Sequence, residues 1–215
     1  MKADFHVHTR YSMDCEMELE DIIKRCQKME IDCVAITDHG TVEGALKMQE
    51  IAPFKIIVGE EVLTDSGEIM GLFLKETVPS NISVDEAISR IKDQGGLVCL
   101  PHPFDPLRGL TMDLEEVDKL APRVDIVEVF NARSPTNSPA EKALDYVLRH
   151  EIPGTAGSDS HTLGEIGRTF VEIDDFDTPD QLLEVLRHGT ISQHKASIFV
   201  HFFSTITKMK RKLTK

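Results

Sequence analysis

Nine histidines occur in 215 residues, and five of them could act together: His6, His8, His39, His102 and His161 lie in short motifs alongside carboxylates. In His6-Val7-His8 the period-2 geometry of a strand would point both imidazoles to one side and Val7 to the other. Asp159-Ser160-His161 would do the same for a carboxylate and an imidazole. Imidazole with carboxylate is a donor set for zinc, manganese or iron, and several of each in one place make a multinuclear site. Such a site lowers the pKa of bound water from about 15.7 toward ~7, supplying a nucleophile without serine or cysteine. Neither a Ser-His-Asp arrangement nor a phosphate-binding glycine loop is present. His150, His188 and His201 read as ordinary core histidines, and His194, after the Gly189 turn, is a weaker candidate for the mouth of a site.

Something must bring residues 155 positions apart together. Apolar, β-branched runs predict strands at Ala3–Val7, Cys33–Thr37, Ile56–Gly59, Leu97–Leu100, Asp125–Val129, Gly154–Gly157 and Thr169–Ile173. Amphipathic stretches between them predict helices at Leu19–Met29, Thr41–Ile51, Val84–Gln94, Leu114–Leu120, Ala140–His150 and Pro179–His188. Six or seven βα units in one α/β domain imply a parallel sheet, closed or nearly closed into a barrel. One unit departs from the pattern: two apolar runs around Asp65-Ser66-Gly67 read as a hairpin insertion across residues 62–74. The chemistry-bearing residues stand at the C-terminal ends of the predicted strands, where βα barrels assemble their sites. Asp38, Glu128 and Asn131 are candidates to accept the second N–H of a ligating imidazole, and strand alternation turns Glu60 away from Glu61.

His6-Val-His8-Thr-Arg10-Tyr-Ser12-Met-Asp14, Ile36-Thr-Asp38-His39-Gly40, Gly59-Glu-Glu61, Pro101-His102-Pro103 and Gly157-Ser-Asp159-Ser-His161 occur in that order. Together they resemble the PHP (polymerase and histidinol phosphatase) superfamily of metal-dependent phosphoesterases. The resemblance implies a distorted (β/α)7 barrel, TIM-barrel-like, with two or three divalent ions at its C-terminal face. It assigns His6, His8 and Asp159 to one ion, Glu61 as a bridge to a second that also takes His102, and Asp14, His39 and His161 to a third. Many relatives have a histidine in the hairpin strand shortly before a Gly-Leu pair; this chain has Glu68 before Gly71-Leu72, which is taken as the substitute ligand. Three divalent ions against four carboxylates and neutral imidazoles leave a site charge of about +2, or about +1 with a bridging hydroxide, which still attracts a phosphate ester. Arg10 and Arg133, ahead of Arg168, are placed near strand ends to grip phosphate oxygens.

The chain carries 24 Lys and Arg against 37 Asp and Glu, net -13, with 40% hydrophobic and 28% charged residues. That is the composition of a globular domain. Residues 1–195 are expected to form the PHP domain and 196–215 a C-terminal helix and basic tail holding Lys208, Lys210, Arg211, Lys212 and Lys215. A body so acidic disfavours a long polynucleotide, so the expected partner is a small phosphorylated substrate or a short oligonucleotide. No apolar run approaches the ~20 residues of a membrane span, and Cys15, Cys26, Cys33 and Cys99 form no CxxC pair, so a cytoplasmic protein without membrane insertion is expected. No obligate protein partner is indicated. The expected activity is phosphoester hydrolysis by a metal-bridging hydroxide. A non-catalytic metal-binding scaffold and an exonuclease acting on nucleic-acid ends are the competing readings.

Overall fold

Short β-branched and apolar runs form seven strands: β1 (Lys2–Val7), β2 (Cys33–Ile36), β3 (Lys55–Thr64), β4 (Gly67–Leu72), β5 (Leu97–Leu100), β6 (Ile126–Asn131) and β7 (Gly154–Gly157). The computed structural model describes residues 1–195, so the expected C-terminal helix and basic tail lie outside the described residues. Among the described residues six α-helices alternate with the strands: α1 (Leu19–Met29), α2 (Glu43–Ile51), α3 (Val84–Asp93), α4 (Leu114–Leu120), α5 (Ser138–His150) and α6 (Pro179–Leu186). Their starts carry local signals: Ser83 accepts from Glu86 N, Asp113 and Glu116 form a reciprocal capping box, and Thr178 accepts from Gln181 N ahead of α6, whose first residue is Pro179. Among the described residues no helix is long and apolar enough to cross a membrane.

The strands pair in the order β7-β6-β5-β4-β3-β2-β1. Neighbours are parallel except that β4 runs antiparallel between β3 and β5. The predicted hairpin is therefore present, and its second strand is a stave of the sheet rather than an excursion from it. A tight turn at Asp65 and Ser66 allows only this antiparallel return. The ring then nearly closes: Val7 bridges to Ser160 just beyond β7, and His8 N donates to Ser160 O at 3.1 Å. Closure is incomplete because β8 (Phe170–Glu172) pairs antiparallel with Lys2 and Ala3 and carries β9 (Thr190–Ser192) outside it. The run at 169–173 was expected to join the parallel series. It cannot, since the connection from β7 holds turns and no crossover helix.

Paired residues share a face, so the register Glu61↔Met70↔Cys99 places Met70 and Cys99 on the same side as Glu61. There they pack with Phe5, Ile57, Leu72 and Ile126 beneath the polar end of the barrel. On the opposite face Val34, Ile36, Val58, Val98 and Leu100 meet helix residues such as Ile22, Met48, Ile91 and Tyr146. All four cysteines are buried and none forms a disulfide among the described residues, as expected of small core residues. One irregularity shapes the site. Between Asp4 and Val7, β1 has one residue more than β2, so His6 and His8 reach the polar cluster although Phe5 also faces the interior beneath it.

Candidate metal centre

The ends of β1, β2, β3, β5, β6 and β7 converge, and the start of antiparallel β4 arrives at the same rim. His6 Nε2 lies 3.1 Å from His8 Nε2 and 3.2 Å from Glu61 Oε2, while His8 Nε2 lies 3.4 Å from both Glu61 Oε2 and Asp159 Oδ1. With His6 Nε2 to Asp159 Oδ1 at 3.8 Å, five edges of one four-atom polyhedron fall between 3.1 and 3.8 Å. A tetrahedral ion with ligands near 2.1 Å requires edges of ~3.4 Å. Two imidazole nitrogens and two carboxylate oxygens thus surround one point, and a divalent ion fits this donor set.

Two further sets adjoin it. Glu61 Oε1 is 3.0 Å from His102 Nε2, which is 3.7 Å from Glu68 Oε2. Asp14 offers one oxygen to His161 Nε2 at 3.2 Å and the other to His39 Nε2 at 3.5 Å. His39 also turns Nδ1 toward Glu61 at 3.4 Å and Glu68 at 3.7 Å, so Glu61 and His39 link the sets. All nine residues expected to ligate metal are thus brought together.

The electrostatics follow from packing so many titratable groups out of water. Burial opposes the charged form of Glu61, yet His6, His39 and the hydrogen bonds from His102 and His6 outweigh it and hold the carboxyl well below its ordinary range. Asp159 is lowered likewise, against burial, by His6 and Arg108. Burial and the charge of His161 push His8 down to about 3, which keeps it a neutral donor. Glu68 moves the other way: burial and the neighbouring Glu61 raise it to about 7. Two of the candidate ligands also have left-handed backbone, His102 with φ 30° and Asp159 with φ 51°. For residues with a Cβ this costs about 1–3 kcal/mol each and persists only where surrounding contacts enforce it.

Those contacts are visible. Glu128 accepts from His102 N at 2.7 Å and from Asn131 Nδ2 at 2.9 Å, and its other oxygen lies 3.1 Å from His6 Nδ1. A proton on Nδ1 shared with Glu128 leaves the Nε2 lone pair facing the centre. Gly157 permits this: a Cβ there would sit 2.2 Å from His6 Cβ and 2.5 Å from Glu128 Oε1. Glu128→Gln is expected to weaken metal retention about 10- to 100-fold without unfolding the chain, which metal titration against a competing chelator would measure. Asp38 acts differently from the expectation. It accepts from Thr9 N and Thr9 Oγ1, both at 2.6 Å, and so braces the backbone after His8 instead of an imidazole N–H. Glu60 faces away, accepting from Val78 N at 2.8 Å.

The arginines are distributed otherwise than the sequence suggests. Arg10 is 54% exposed and paired with Glu18 at 2.7 Å, and the structure does not bring it into the cluster. Arg133 is 4% exposed and adjoins the cluster, 3.9 Å from Asp159 Oδ1 and against His161 Nδ1, the Asp159 carbonyl and Glu165. Arg168 and His188 are exposed, and His194 is held on the surface by the Arg168 carbonyl at 3.0 Å. His150 pairs with Asp118 at 3.0 Å and is only partly buried, so neither His150 nor His188 is the core residue expected. Arg108 was missed. It reaches Asp159 from the loop after β5, with Asp105 and Asn131 beside it, and no motif marks it in the sequence.

A nearly closed β/α barrel with an imidazole–carboxylate centre at the C-terminal ends of its strands defines the class. Residues 4–144 match the PHP domain and residues 137–191 the PHP-associated family, and the chain belongs to the PHP domain family. The uncharacterized protein MJ1587 of Methanocaldococcus jannaschii is 38% identical over 170 residues, covering 73% of this chain and 96% of its own. Among solved structures, a two-domain protein from Bacteroides vulgatus containing a predicted PHP-like metal-dependent phosphoesterase aligns over 90% of this chain with a TM-score of 0.72 and 19% identity. The lesion-specific endonuclease PfuEndoQ of Pyrococcus furiosus aligns over 88% with a TM-score of 0.60 and 19% identity. This chain spans 65% and 57% of the lengths of those two proteins.

Proposed function

We propose that the protein hydrolyses phosphate esters in a metal-dependent reaction at this centre. The observation that carries the reading is the four-atom set of His6, His8, Glu61 and Asp159 at tetrahedral-edge spacing, sharing Glu61 with a second donor set. His6, His8, Asp159 and Glu61 would hold one divalent ion, Glu61, Glu68 and His102 a second, and Asp14, His39 and His161 a third. Zinc, manganese and iron all suit these donors. When bound, such ions acidify water and neutralise charge developing on phosphorus. The chain's own residues do the rest. Glu61 sets the two sites side by side, and Glu128 fixes the His6 tautomer.

The substrate is a small phosphate monoester, a nucleotide or a short oligonucleotide, since a body at net -18 over residues 1–195 repels a long phosphate backbone away from the centre. The test is metal content of protein purified without chelator, paired with turnover of a chromogenic phosphate ester before and after metal removal and in Asp159→Ala. Two or three equivalents, with turnover that both treatments abolish, is the expected result. Bound metal with no turnover after manganese, iron or zinc is restored would favour the scaffold instead.

A further inference from the structure

We propose that Arg108 is the phosphate-gripping residue of this centre, carried on a strap that restricts the site to terminal phosphates. The proposal rests on the phosphate-ester reading above and names the residue and substrate class within it.

Residues 101–113, between β5 and α4, fold back on themselves: Gly109 N donates to Asp105 O at 2.9 Å and Leu110 N to Pro103 O at 3.1 Å. Both flanks are tied. On one side Thr111 N donates to Ser66 O in the β3–β4 turn at 3.0 Å, and a Cβ on Gly67, whose φ is 115°, would sit 3.0 Å from Gly109 O. On the other, Ser134 Oγ beyond β6 donates to Asp105 Oδ2 at 2.9 Å. The segment therefore spans one side of the mouth from the hairpin to the β6–α5 connection. Arg108 points inward from it.

The guanidinium donates through Nη1 to Asp159 Oδ2 and through Nη2 to Asp105 Oδ2 at 3.2 Å and Asn131 Oδ1 at 3.3 Å. These contacts use three of the five N–H groups an arginine offers. Among the described residues two arginines reach Asp159, and they differ in access: Arg133 is 4% exposed whereas Arg108 is 26% exposed. Arg108 is thus the fixed positive charge at the boundary between centre and solvent. Orienting Asp159 does not require it, because Asn131 Nδ2 already donates to the same oxygen at 3.2 Å. A guanidinium fork matches two oxygens of one phosphate, and because either fork of Arg108 includes Nη2, a phosphate gripped this way takes Nη2 from Asp105 or Asn131, its two longer contacts. A monoester offers three terminal oxygens to share between this fork and the divalent ions, a diester only two. A chain continuing past the phosphate on this side would meet the strap.

Calorimetric titration of the metal-replete protein, as purified, with orthophosphate and with dimethyl phosphate tests this without relying on turnover. Wild type should bind orthophosphate at least about 10-fold more tightly than the diester, and Arg108→Ala should weaken orthophosphate about 10- to 100-fold. Arg108→Lys, which keeps the charge and loses the fork, should recover only part of that, with metal content equal in all three proteins. Unchanged orthophosphate affinity in Arg108→Ala would overturn the assignment. So would loss of metal in step with phosphate in both variants, which would make Arg108 a positioning residue for Asp159. Equal affinity of wild type for the two ligands would overturn the restriction to terminal phosphates. If phosphate binding depends on Arg108 and no ester is turned over, the hydrolase reading fails while the assignment stands. Should Arg108→Ala not fold, Arg108→Lys decides.

Discussion

Glu61→Gln is expected to lower kcat/KM for a phosphate ester by at least about 1000-fold and to remove at least one equivalent of metal. No other carboxylate meets so many imidazoles in the cluster. Its Oε2 lies 3.2 Å from His6 Nε2 and 3.4 Å from both His8 Nε2 and His39 Nδ1, while Oε1 lies 3.0 Å from His102 Nε2. A carboxamide keeps the shape but brings one oxygen and one NH2, so one of its two arms would present hydrogens to donors needed for metal. The negative charge that offsets two adjacent cations is lost as well. Because Glu61 serves two donor sets, the variant should lose more activity than Glu68→Gln, which touches only one edge of the cluster. Steady-state kinetics with elemental analysis of the same preparations would measure this. Full metal content with turnover within tenfold of wild type would sink the bridging role.

Much of this centre is legible in the sequence because strand alternation and barrel topology are strong constraints. Barrel topology brings both His6-Val-His8 and Asp159-Ser-His161 to one rim, although the alternation expected for the second does not hold: it lies beyond β7, and Asp159 has φ 51°. Glu68 is legible only in part. It sits at the start of its strand, and it reaches the rim because β4 runs backwards between β3 and β5. The β1 irregularity leaves no mark in composition, since an extra residue in a parallel pair changes which side chains share a face without changing which residues are apolar.

What the sequence hides is mostly held by tertiary contacts. Arg108 follows a Pro-Leu pair in an irregular segment with no periodicity to read, and its direction comes from pins at Ser66 and Ser134 far away along the chain. Arg133 illustrates the converse. Its place two residues past Asn131 puts it near the centre as expected, 3.9 Å from Asp159 Oδ1, but its burial against Glu165 and His161 cannot be read from that spacing. Asp38 stands next to one candidate ligand in sequence, His39, and supports another, His8, through Thr9. The left-handed backbone of His102 and Asp159 likewise has no sequence signal such as glycine; Glu128 and Asn131 enforce it from β6.

Removing metal should have the largest effect on stability. Nine candidate donor side chains, most of them buried, are gathered at one end of the barrel, and without cations Asp14, Glu61, Glu68 and Asp159 face one another across imidazoles. Ions that bind the folded chain and not the unfolded one stabilise it by mass action, about 4 kcal/mol at a thousandfold excess over the dissociation constant. For a domain of this size each kcal/mol moves the melting temperature roughly 2–4 °C, so chelation should lower Tm by about 8–16 °C. Glu61→Gln should show a smaller chelation shift than wild type, because fewer ions remain to be removed. Asp38→Asn, which disturbs Thr9 and not a donor atom, should melt lower with and without chelator and keep most of the shift. Thermal melting of the three proteins, each with and without chelator, separates these outcomes. An unchanged Tm on chelation of wild type, with metal shown to be gone, would mean that hydrogen bonds and protonation alone satisfy the cluster, and the nine-residue donor assignment would have to be abandoned.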